Sequence, residues 1–125
     1  MTINEAIALV DQLRPNSYTN ENKISWLSKL DGRIFTELYK THEDCPSDSF
    51  AGYDSDTDGS TELLVPYPYA EDIYNYFLQA QIDKENGETM RYNGSITMYN
   101  SAFAAYAAVY NRDHAPIPVG TRFRF

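Results

Sequence analysis

The residues best spaced for chemistry are Asp54-Ser55-Asp56-Thr57-Asp58-Gly59. Carboxylates at alternate positions followed by a glycine open a calcium loop of the D-x-D-x-D-G type, the glycine allowing its tight turn. Ser60 and Glu62 suit the positions that follow, but Val65 stands where the loop needs its closing bidentate carboxylate. The expectation is a solvated acidic turn with no metal. His42 and His114, the only histidines, each fall near the end of a predicted helix, where positive charge is favoured. They are expected on the surface rather than in acid–base duty. Cys45 lies close to His42, yet a metal centre needs more ligands and there is no second cysteine. With no nucleophile–base pair and no glycine-rich phosphate loop, the expectation is a protein that is not an enzyme and takes no cofactor.

The eleven tyrosines are the other unusual feature. Tyrosine has a large apolar body and one polar tip, which suits interfaces and wet core edges. Tyr92, Ile96, Tyr99, Phe103, Tyr106 and Tyr110 recur at steps of three and four and form one apolar stripe on a helix. Alanines between them leave room for a neighbouring backbone. A small helical domain has too little interior for all of these rings. Tyr74, Tyr76 and Phe77 point to more than one side of their own helix, so Tyr74 and Tyr76 are expected to meet another chain.

Those rings must be held by a scaffold of 125 residues, enough for one modest core. A net charge of −8 argues against binding to a nucleic-acid backbone and suits a passage through which DNA slides without sticking. One cysteine excludes an internal disulfide and fits a reducing compartment. No apolar run is long enough to cross a bilayer, and the N-terminus does not read as a signal peptide, so a soluble protein made in a cytoplasm is expected.

Thr2 and Glu5 have capping-box spacing, and Ile3, Ile7, Val10 and Leu13 follow on one face until Pro15, which predicts a helix from Ile3 to Leu13. Thr19 or Asn20 caps a second helix carrying Ile24, Leu27, Leu30 or Asp31, Ile34 and Leu38. Gly32 inside it marks a close contact or a bend. Residues 43–62 hold seven acids and no lysine or arginine. Ser49–Tyr53 and Leu63–Val65 flank the most acidic part and read as two short strands of a hairpin. Pro68 starts a third helix, Gly87 ends it, and Glu88 or Thr89 opens the striped fourth helix, antiparallel to the third.

The predicted fold is therefore all-α: about four helices, a small β-hairpin insertion between helices two and three, and an extended C-terminal arm. It forms a single domain over 1–125. The N-terminal helices occupy 1–42, the acidic loop or hairpin 43–66, the helical hairpin 67–114 and the arm 115–125. In the arm, Arg122, Phe123, Arg124 and Phe125 oppose the body's charge and suit docking on a partner.

Several short blocks resemble the small head–tail connector (adaptor) proteins of long-tailed bacteriophages over nearly the whole chain. They are Thr2–Ile7, Ile24–Ile34, Glu62–Pro66 with Tyr69-Ala70-Glu71, Arg91-Tyr92-Asn93 before the alanine-rich helix, and Thr121-Arg122-Phe123. The resemblance implies a structural virion protein whose copies form a ring between the capsid portal and the tail. Its partners would be sister copies, the portal protein and a downstream connector or stopper protein, with DNA passing through unbound and no membrane. It implies a place in the virion neck, after assembly in the host cytoplasm, and no catalytic residues. The alternative is a small helical binding module with a partial calcium loop at Asp54, Asp56 and Asp58.

Overall fold

The computed structural model describes residues 1–43, 45, 49–114 and 117. Four helices account for most of them: α1 (Ile3–Leu13), α2 (Asn20–Glu37), α3 (Ala70–Glu85) and α4 (Thr89–Asp113). A 3-10 turn at Tyr39–Thr41 follows α2.

Local signals set the helix ends. The Thr2 side chain accepts from the Glu5 amide and the Glu5 carboxylate accepts from the Thr2 amide, so both halves of the capping box are made. The Thr2 amide also holds the Glu5 carboxyl below its ordinary range. Thr19 caps α2 through the Asn22 amide. Gly87 reverses the chain after α3 at φ +72°, a conformation that glycine adopts without strain. Helix α4 is regular from Thr89 and continues through Gly94. Pro68 lies two residues ahead of α3 rather than in its first turn, because the Pro66 carbonyl accepts from both Tyr69 and Ala70 and folds that stretch into a turn.

The core is a single cluster. Ile3, Ile7 and Val10 of α1, Leu27, Leu30 and Ile34 of α2, and Ile73, Leu78 and Ile82 of α3 meet in it, closed by Leu63 and Val65 from the loop. Helix α3 is central and packs against α1, α2 and α4. Helix α4 has α3 as its one helical neighbour among the described residues. The two run antiparallel, as the pairs Asp83–Ser95, Phe77–Tyr99 and Tyr69–Tyr106 show. At about 1.5 Å per residue, α4 outruns α3 by roughly 13 Å. Its last turns cover the 3-10 turn instead.

The expected hairpin does not form. No strand forms among the described residues, and the Glu62 end of this segment pairs by an isolated antiparallel bridge with Thr2 instead. The reason lies in where the backbone groups of Leu64 and Val65 go. The Leu64 amide donates to Asp31, the Leu64 carbonyl accepts from Tyr39, and the Val65 amide donates to the Tyr74 hydroxyl. These three groups are thus taken by side chains and are not free for a partner strand. The Ser49–Tyr53 piece lies along α2, where Phe50 stacks on Phe35 and Ser28 accepts from the Tyr53 amide.

Gly32 is a contact point and not a bend. A methyl group added there would lie 3.9 Å from the Phe50 ring, an ordinary packing distance. Gly32→Ala should therefore raise stability by about 0.5–1 kcal/mol through helix propensity alone. Urea unfolding checks this, and a destabilised variant would show that Phe50 cannot yield.

Candidate interaction surface

Two buried polar centres hold the scaffold rigid. Asp31 lies on the core face of α2 between Leu27 and Ile34 and is fully buried. Its Oδ1 accepts from the Tyr74 hydroxyl at 2.6 Å. Its Oδ2 accepts from the Tyr53 hydroxyl at 2.6 Å and the Leu64 amide at 3.0 Å. Burial pushes the Asp31 carboxyl above the usual carboxylate range, against the opposing pull of these donors. Burial first, and then the Asp31 charge, raises the Tyr53 and Tyr74 hydroxyls in turn. The centre ties α2, α3 and both ends of the acidic segment together.

The second centre is Asp83, also fully buried. Arg14, at the end of α1, pairs with it, and Ser95 of α4 donates to its other oxygen at 3.0 Å. Gln79 accepts from the same guanidinium. Three helices are thus fixed in mutual register by one carboxylate.

The long end of α4 rests on an aromatic cluster. Tyr39 stacks on Tyr110 at 4.9 Å between ring centres, and His114 stacks on Tyr110 at 3.9 Å. The Tyr106 hydroxyl donates to that of Tyr39 at 2.7 Å, which in turn donates to Leu64. Burial pushes both hydroxyls up. A cavity of about 440 Å³ opens beside these rings, with Leu64, Val109 and Asp113 in its wall. His42 is not a surface residue. It is 2 % exposed, its Nδ1 donates to the Leu38 carbonyl, and its Nε2 pairs with the Asn111 amide.

Tyr74 has no surface to offer a partner, because its ring is fully buried (0 % exposed) and its hydroxyl is spent on Asp31 and Val65. Tyr76 is half-buried in a groove with Met98, Arg14 and Arg91. Arg122, Phe123, Arg124 and Phe125, with most of the expected arm, lie outside the described residues.

The stripe on α4 is only partly covered. Tyr106 and Tyr110 are buried, whereas Tyr92, Ile96, Tyr99 and Phe103 are half-buried and Met90 and Met98 are 88 % and 48 % exposed. Between α2 and α4, Tyr99 and Phe103 form one side of an open groove whose other side is Leu30, Ile34 and Arg33. Burial leaves the Tyr99 hydroxyl raised, so it is neutral at physiological pH and adds no charge to this face.

In the acidic turn, Asp54 accepts from the Asp56 amide and the Thr57 hydroxyl, and Asp58 from the Ser60 amide and hydroxyl. One oxygen of Asp54 and one of Asp58 are thereby engaged by their own loop. The Ser60 amide holds the Asp58 carboxyl low, so it stays charged. Among the described residues no three His, Cys, Asp or Glu side chains converge as metal ligands, and no helix is long and apolar enough to cross a membrane.

The polar centres were not foreseen from the sequence, although Asp31 and Asp83 each stand at a helical spacing that faces the core. A charged residue on an inner helix face is the signal for such a site. No family model, curated protein or solved structure matches the chain, so the assignment of its surfaces rests on their own geometry.

Proposed function

We propose that this protein is a structural virion subunit whose copies form a ring joining the capsid portal to the tail and lining the channel for DNA. The observation that carries this reading is the open face of α4. A 25-residue helix with α3 as its one close helical neighbour among the described residues leaves Ile96, Tyr99, Phe103, Met98 and Met90 wholly or partly in water. Apolar and aromatic surface of this kind is what subunit contacts use. Tyr76 and Met98 extend it toward the end of α1.

The two buried centres support the same reading, since they fix the relative positions of the helices and so present a preformed surface. The net charge of −8 suits a wall that repels the DNA it guides. The resemblance of the sequence blocks to connector proteins supplies the particular assembly, with the portal on one face and a stopper protein on the other. Arg122–Phe125 are assigned to docking in that assembly.

Native mass spectrometry of the purified chain, alone and with portal protein, tests the reading. A ring, formed alone or on the portal, is the expected result. A chain that stays monomeric and does not bind portal overturns it.

A further inference from the structure

The two flanks of α2 carry opposite charge. On one flank, a groove of about 350 Å³ runs between α2 and α3. Trp26 and Phe77 line it, and Lys29, Arg33 and Lys84 provide its positive charge, against Glu85 as the single acid. Arg33 reaches only Glu37, at 3.5 Å with both side chains largely exposed. Lys29 and Lys84 have no carboxylate within ion-pair distance among the described residues.

On the other flank, Ser28 receives the Tyr53 amide, and from there the chain runs into Asp54, Asp56, Asp58 and Glu62, all exposed. At about 100° per residue, Ser28 stands roughly 140° around α2 from Arg33 and roughly 160° from Trp26. The acidic turn leaves α2 on the side away from Arg33 and Trp26 and ends at the start of α1, where the Gly59 and Thr61 carbonyls accept from the Asn4 and Ile3 amides, apart from the basic groove between α2 and α3.

We infer that the α2–α3 groove of one copy receives the acidic turn, residues 54–62, of a second copy of this chain. Each subunit then offers one surface of each sign. Such a contact is head-to-tail and leaves a free groove and a free turn at its ends, so it repeats until the rotation closes. Carboxylates against Arg33 make charge-assisted hydrogen bonds in fixed geometry, while Lys29 and Lys84 act as point charges. The turn comes preformed by the bonds that Asp54 and Asp58 make to their own loop, so little order is lost when it docks. This inference rests on the assembly reading above and names the surfaces that build it.

The test uses sedimentation velocity at low and high salt, with and without portal protein, on the wild type and two variants. One carries Lys29→Glu, Arg33→Glu and Lys84→Glu. The other carries Asp56→Lys and Glu62→Lys, which leaves the Asp54 and Asp58 bonds that shape the turn in place. Circular dichroism and urea unfolding confirm that each variant is folded, and these exposed positions should leave the fold intact. The wild type should assemble, more weakly by about tenfold or more in high salt. Each variant should fail alone, and the two should assemble when mixed, because each supplies the complement of the other. Variants that assemble like the wild type, or a mixture that does not recover, overturn the groove assignment and leave the ring reading standing. A wild type that stays monomeric under every condition overturns both.

Discussion

Asp31→Ala is expected to lower the free energy of unfolding by about 3–5 kcal/mol. The substitution orphans the Tyr53 hydroxyl, the Tyr74 hydroxyl and the Leu64 amide together. Each buried donor without an acceptor costs about 1–3 kcal/mol. Water reaching the half-buried Tyr53 relieves part of the sum. The loss should fall on the loop as well as the core, since the Leu64 amide loses its acceptor and the Tyr74 hydroxyl, which holds the Val65 amide, loses its own. Urea unfolding gives the size, and hydrogen exchange at Leu64 and Val65 gives the place. A loss below about 1 kcal/mol would mean that Asp31 does not organise this region.

The same carboxyl gives stability a pH dependence with a definite sign. Its pKa is raised on folding, mainly by burial, so between the unfolded and folded values the native state holds more protons than the unfolded one. Stability from this group is therefore full below the unfolded value of 3.8 and is lost as pH rises through the folded value. Asp31→Asn removes that slope. The wild type's advantage over Asp31→Asn should accordingly shrink as pH rises through that window. An advantage that grows instead would place the folded value below the unfolded one.

Arg14→Ala is the second large effect, with an expected loss of about 2–4 kcal/mol. It leaves the Asp83 carboxylate sealed in the core with Ser95 as its remaining side-chain partner. Removing one member of a buried ion pair costs about 3–5 kcal/mol. The guanidinium side is partly open, at 22 % exposure, and water entering there lowers the figure. Adding Asp83→Asn to the Arg14→Ala variant should return part of the stability, because the stranded charge is then gone. A double-mutant cycle measures the coupling directly. If the double variant is less stable than Arg14→Ala, the Asp83 carboxylate holds α1, α3 and α4 through contacts other than the Arg14 pair.

Helix ends in this protein are legible from short range because their causes act within one turn. The Thr2–Glu5 box, Thr19 and Gly87 each satisfy or terminate a backbone a few residues away, so the starts of α1 and α2 and the end of α3 follow from the chain alone. The acidity of residues 43–62 and the stripe on α4 are readable in the same way, since both are properties of composition and period. What the stripe would touch is not. Tyr106 and Tyr110 are buried because α4 outruns α3 and lands on Tyr39 and His42, residues far away in the chain. Tyr99 and Phe103 stay half-open because α2, across the groove from them, does not close onto α4.

The polar centres show the same divide. That Asp31 faces inward follows from its spacing with Leu27 and Ile34. That it meets Tyr74, 43 residues on, and so draws that ring from the expected interface into the core, does not. The hairpin is lost for a related cause. Leu63–Val65 has the composition of a strand, but Asp31, Tyr39 and Tyr74 reach its amides and carbonyl before any strand can. Period and capping are dictated over one helical turn. Which donor meets which acceptor depends on how the packed helices bring distant residues together, and burial then decides which of those meetings must be satisfied.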